Sequence, residues 1–246
     1  MIDILRSEWT KIRSVRSTMW TLGVTALLML GIATLISASA KGSADGPVPA
    51  DNAIAMGLIG TMFAALSMAT LGVLVISSEY RTGGIRTSLM AVPKRMNLLT
   101  GKITVFTAVS LIVCTVASAA SLLVSLVITQ PPSLETGAVV QAVAGGGLYL
   151  TACGLFGLGL GTLVRHTPGA IVSAIALMLV LPQLTTALPG QWGKTVSDYF
   201  TTNAGSLIVM DRGDNSLDPW SGFGVYLAWV AIAMIAGAVL MQKRDA

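Results

Sequence analysis

The chain has 246 residues and a mass of 25.4 kDa; 54% of it is hydrophobic, only 11% is charged, and the mean hydropathy is +0.78. Soluble domains carry about 25% charged residues, so this surface is too poor in charge for a soluble globular enzyme and too apolar for a disordered chain. The net charge of +4 and pI near 9.3 then ask where the positive charges sit in a membrane domain.

In the first segment, Ile2, Leu5, Trp9 and Ile12 recur at spacings of three, four and three. At 100° per residue they share one face, with Arg6 and Arg13 beside it. This predicts a helix over 1–17 lying in the membrane interface, anchored by Trp9 and with its basic residues reaching phosphates. Ile4 and Val15 break the pattern.

A bilayer core needs about 20 apolar helical residues. Six stretches supply them: 18–40, 53–77, 103–129, 137–164, 169–188 and 222–241. None contains Asp, Glu, Lys, Arg or His, so every charge is expected in a connection or a tail. The first run is too long for a signal-peptide core and reads as a retained span. Long continuous runs fit helices, the open-ended way to satisfy backbone groups in lipid. The whole chain, 1–246, thus reads as one all-α integral membrane domain.

Between spans two and three lies a long, charge-dense connection, 78–95. Glu79 closes the apolar run, Gly83 and Gly84 permit a turn, and Ile85, Leu89 and Val92 recur at helical spacing before Pro93 ends the pattern. A short amphipathic helix here would suit docking of a partner.

The third span carries a stripe of small polar residues: Thr107, Ser110, Cys114, Ser118, Ser121 and Ser125. It runs about 27 Å at 1.5 Å per residue. It reads either as a packing face or as the lining of a translocation path. Gly57, Gly60, Ala64 and Ser67 in the second span, and Gly147, Thr151, Gly154, Gly157 and Gly161 in the fourth, read as packing faces. Pro182 should kink or end the fifth span. The segment 191–220 is apolar enough to sit at the far interface, with Trp192, Tyr199, Phe200 and Trp220 at the boundary.

With the N-terminus placed in the cytoplasm, twelve of the fifteen Lys and Arg fall inside and three outside, while seven of the eleven acids fall outside. The positive-inside rule therefore puts both termini in the cytoplasm. The basic pI follows from this topology and carries no signal for nucleic acid.

Intramembrane ionisable residues mark proton relays and catalytic sites, and the six runs have none. HExxH and GxSxG are absent. Gly193-Lys194-Thr195 mimics the end of a P-loop, but Leu188 stands where the first glycine belongs. Cys114, Cys153 and the lone His166 have no metal-ligand spacing. An intramembrane enzyme is therefore disfavoured.

One pattern goes further. Glu79, Arg81, Gly83, then Ile85-Arg86, Leu89, Pro93, Arg95 and Gly101-Lys102 resemble the permease of type 2 ABC exporters, and the opening Leu5–Ser14 resembles the connecting helix of actinobacterial members. Where many members have Gly-Thr and an acidic residue, this chain has Gly84 and Arg86. The resemblance covers essentially the whole chain. It implies six spans, an interfacial first helix, a cytoplasmic coupling helix around Glu79, Tyr80, Arg81, Gly83, Gly84, Ile85, Arg86, Leu89, Pro93 and Arg95, and short re-entrant helices over 191–220. It implies a homodimer in a bacterial cytoplasmic membrane, docked to two copies of a separate ABC ATPase. ATP and Mg would sit on that ATPase, with no cofactor on this chain. The implied function is outward transport of a drug, peptide or lipid-like substrate. The competing reading is a stand-alone immunity or sensor protein.

Overall fold

The structure, a computed structural model, describes residues 2–43, 46–82, 95–210 and 216–243, without the side chains of 2, 81, 82 and 95. Among the described residues there is no strand. Six helical stretches are long and apolar enough to cross a membrane, so the chain is an all-α, multi-pass membrane protein.

Helix α1 (Ile2–Ser14) passes into α2 (Arg16–Ser43) through Val15 alone. The Val15 N–H donates to Lys11 O at 3.0 Å and Val15 O accepts from Thr18 at 3.0 Å, so the joint is itself hydrogen-bonded. The second span is two helices, α3 (Ala50–Leu58) and α4 (Thr61–Thr82), broken at residues 59 and 60. Gly60 is needed there: a Cβ would fall 2.8 Å from Met29 Cα of α2. The third span is α5 (Arg95–Thr129). Its 35 residues extend about 52 Å at 1.5 Å per residue, well beyond a hydrocarbon core of about 30 Å.

The fourth span, α6 (Thr136–Val164), is the most buried. It ends at Arg165, whose left-handed φ of 57° lets its N–H return to Gly161 O. His166 then caps α7 (Thr167–Ile175) by accepting the Gly169 N–H on Nδ1 at 3.3 Å. This is a local cap. The fifth span continues through a π-helical turn, Ala176–Val180, into α8 (Leu181–Thr186). Three short elements follow at that end: α9 (Gly190–Asp198), α10 (Thr201–Gly205) and a 3-10 turn, Ser206–Ile208. The P-loop mimic lies inside α9, where it forms no phosphate loop. The last span is α11 (Pro219–Lys243).

Packing is built on glycine. Gly72 of α4 lies against the backbone of Gly154 in α6, and Gly157 against the Ala69 carbonyl. No side chain fits at either contact, so the two backbones touch. Lipid tails are as apolar as leucine, so this close approach replaces the water-driven burial that holds a soluble core. Around it pack Met68, Phe106, Leu150, Phe156 and Leu158, all buried. Tyr226 of α11 is wedged between Tyr149 and Phe156, with ring centroids 5.9 and 6.0 Å apart, and its hydroxyl donates to Cys153 at 3.4 Å.

One expectation is refined and one changes. The helix α1 forms with Trp9 54% exposed, the side an interfacial anchor would present; its inward face takes Ile12 and the half-buried Leu5 from the predicted stripe and adds Ile4, Glu8 and Lys11. Ile4, the residue that broke the pattern, sits on Gly101. Charges are not confined to connections and tails. Helices α4 and α5 overrun the apolar runs, so Glu79 and Lys102 lie within helices.

Candidate functional site

Three helices meet where the chain enters and leaves residues 83–94. α4 arrives carrying Glu79, α5 departs carrying Lys102, and α1 lies across both with Glu8 and Lys11. Lys102 Nζ donates to Glu8 Oε2 at 2.6 Å and to Glu79 Oε1 at 2.8 Å. Lys11 Nζ donates to Glu8 Oε1 at 2.7 Å and to the same Glu79 Oε1 at 3.0 Å. The four groups alternate in sign around a closed ring and sum to zero charge. Glu8 and Lys102 are only 1% and 2% exposed.

Such burial is costly for an isolated charge, and tolerable only when opposite charges and hydrogen bonds replace the lost water. Burial opposes the charge of Lys11, but hydrogen bonds and Coulombic attraction from Glu79 and Glu8 outweigh it. They hold its ammonium above the ordinary lysine value. Glu79 Oε2 is buried and accepts no hydrogen bond from the described residues.

A second contact ties this end to the remaining helices. The Arg165 guanidinium lies over the Tyr80 ring, 5.1 Å from its centroid, and donates to Leu240 O of α11 at 3.2 Å. Thr167 donates to Ser77 at 3.0 Å. The end of α4 is thus held by α1, α5, the α6–α7 joint and α11.

Of the residues assigned to coupling, Glu79 and Tyr80 are in these contacts. Arg81 and Arg95 lie in the terminal turns of α4 and α5, with side chains outside the description. Gly83, Gly84, Ile85, Arg86, Leu89 and Pro93 lie outside the described residues, as does the helix expected there. The spacing argument gave no role to Glu8 or Lys11. The usable signal was Ile4, Glu8 and Ile12 at i, i+4 and i+8, one face of a helix.

The third-span stripe is packed among helices. Ser110, Ser118, Ser121 and Ser125 are buried and Thr107 half-buried. Ser121 Oγ donates to Gly57 O at 2.5 Å, with Met29 O at 3.2 Å. Ser125 Oγ donates to Ala53 O at 2.7 Å and accepts from Ser37 at 2.8 Å. Thr107 returns to its own helix at Ile103 O, 2.7 Å. Ser118 faces Gly146 and has no hydrogen-bond partner among the described residues.

The opposite end holds a cavity of about 190 Å³, lined by Met62, Phe63, Tyr149, Met178, Gln183 and Asn203 among others. It lies beside both irregularities, the α3–α4 break and the π turn. Pro182 has no N–H, so neither Met178 O (the α partner) nor Leu177 O (the π partner) receives a bond from it. The hydroxyls of Thr202 and Thr201 reach these carbonyls, donating to Met178 O and Leu177 O at 2.7 Å each. Asn203 adds a bond to Pro182 O at 3.2 Å. Among the described residues no cluster of His, Cys, Asp and Glu suits a metal ion.

Comparison with curated proteins finds no match. A family model described as ABC-2 family transporter protein matches residues 4–182. That stretch runs from α1 through Pro182, more than half of the chain, and contains all four charged residues of the ring. The chain therefore belongs to the ABC-2 family of transporter proteins.

Proposed function

We propose that this chain is the membrane-spanning permease subunit of an ABC exporter, working as a homodimer with two copies of a separate ATPase. The family match carries this reading, because it includes the 83–94 connection and both helices that flank it. The end holding α1 and the charge ring faces the bacterial cytoplasm, as the distribution of Lys and Arg requires. There residues 79–95 dock the ATPase, and ATP and Mg are bound on that partner. Nucleotide binding drives switching only if the ATPase prefers one permease state over the other.

The substrate is an amphipathic molecule of low charge, of the drug, peptide or lipid kind. The cavity supports this: its lining is largely apolar, with the amides of Gln183 and Asn203 as polar contacts. Small-molecule sites combine those features. Packing rather than path lining is our reading of the serine stripe: Ser121 and Ser125 donate to carbonyls of neighbouring helices, and Thr107 to its own helix.

The test is a mild-detergent pull-down of the tagged chain from native membranes, followed by mass spectrometry. A P-loop ATPase at near one-to-one ratio is the expected result. Recovery of the chain alone, also after crosslinking, overturns the exporter reading in favour of an immunity or sensor protein.

A further inference from the structure

The charge ring is larger than docking a partner requires, since Glu8 and Lys102 are buried where no partner can touch them. What they do touch is each other's helix. Glu8 and Lys11 of α1 hold Glu79, the last charged residue before the connection with a described side chain, and Lys102, just after it. Ile4 adds an apolar contact on Gly101. Beyond Ser14, α1 continues through the hydrogen-bonded joint at Val15 into the first span.

We infer that Glu8, Lys11 and Lys102 are positioning residues that fasten α1 to both helix ends flanking residues 83–94. The end of α4, the start of α5 and α1 then move as one block. A displacement applied at the connection is carried through Val15 into α2 as well as directly into α4 and α5. Without the ring, α1 is a separate interfacial helix and the first span receives no such push. The fastening is a property of this chain alone; its use in coupling rests on the exporter reading above.

The Ile4–Gly101 contact supplies the probe. Ile4 Cβ lies 3.7 Å from where a Cβ at position 101 would stand, inside the disulfide range of about 3.5–4.5 Å. The full-length Ile4→Cys/Gly101→Cys chain in lipid nanodiscs, oxidised with copper phenanthroline, is expected to crosslink rapidly. The parent chain serves as control, because its own Cys114 and Cys153 are buried. Adding Lys102→Met should slow crosslinking at least tenfold. The pair Glu8→Gln/Lys102→Met, which leaves neither of these two charges without the other, guards against misfolding and should be slowed likewise. Unchanged rates in both backgrounds overturn the proposal, whatever ATPase is found.

The second arm uses native membranes that carry the associated ATPase. Lys102→Met should cut permease-dependent ATP hydrolysis about tenfold while ATPase recovery stays the same. Oxidising the cysteine pair should restore it, since a disulfide replaces the fastening but not the charge. Failure to restore overturns the positioning role. Absence of any associated ATPase overturns the exporter reading instead, and the crosslinking rates then decide the fastening by themselves.

Discussion

Pro182 shows how one residue sets the demands on two others. Its missing N–H leaves the turn before it one donor short inside the membrane, where an unmet polar group costs several kcal/mol, and the hydroxyls of Thr201 and Thr202 donate to Leu177 O and Met178 O there. Thr202→Val should therefore lower stability by about 1–2 kcal/mol. The same change should cost less than half as much in a Pro182→Ala background, where residue 182 regains an N–H. A double-mutant cycle of thermal unfolding in nanodiscs measures this; an equal cost in both backgrounds removes the capping role. Lys11 yields a second test. Its ammonium is held above the ordinary value of 10.5, so what it contributes is fully present below pH 10.5 and fades only above it. Crosslinking of Ile4→Cys to Gly101→Cys, corrected for thiolate fraction, should be flat from pH 6 to 9 for this group.

At the scale of elements, α4 and α6 meet backbone to backbone. Gly157→Val forces a side chain into the Ala69 carbonyl, and overpacking of this kind costs about 1–3 kcal/mol. Gly224→Val is the matched control, since a Cβ at Gly224 meets nothing. Thermal unfolding should separate the two variants clearly; equal loss would mean that the α4–α6 contact is looser than described. The helix α1 shows the limit of pattern reading. Its apolar periodicity was legible and picked out Leu5 and Ile12, but it left out Ile4, Glu8 and Lys11. The packed face contains Glu8 and Lys11, which hydropathy scores as solvent-facing. They are inward because each meets an opposite charge on another helix, and periodicity within α1 contains no information about α4 or α5.

For the whole molecule, the proposed topology makes a direct prediction. In intact cells, Lys41→Cys should react with a membrane-impermeant maleimide, whereas Ser7→Cys should react only after permeabilisation. Both positions are exposed. The reverse pattern would invert the protein and place residues 83–94 outside, beyond reach of any ATPase. Number and rough position of the spans were legible because a run of about 20 apolar residues is a property of contiguous sequence. The overrun of α4 and α5 past those runs was not legible, because a helix can continue through polar residues when other helices satisfy them.

The sequence by itself determined an all-α membrane protein with six spans, its charge asymmetry and its resemblance to an exporter permease. Each of these depends on composition or on neighbours within a few residues. Tertiary structure decided that Glu8 reaches Lys102 across 94 positions, that Lys11 reaches Glu79 across 68, and that Thr202 answers for Pro182 at Met178 across 24. It also decided that Ser121 and Ser125 of the stripe bond α2 and α3. The reason is physical: a buried charge or an orphaned carbonyl is stable only with a partner, and that partner comes from whichever helix the fold packs beside it.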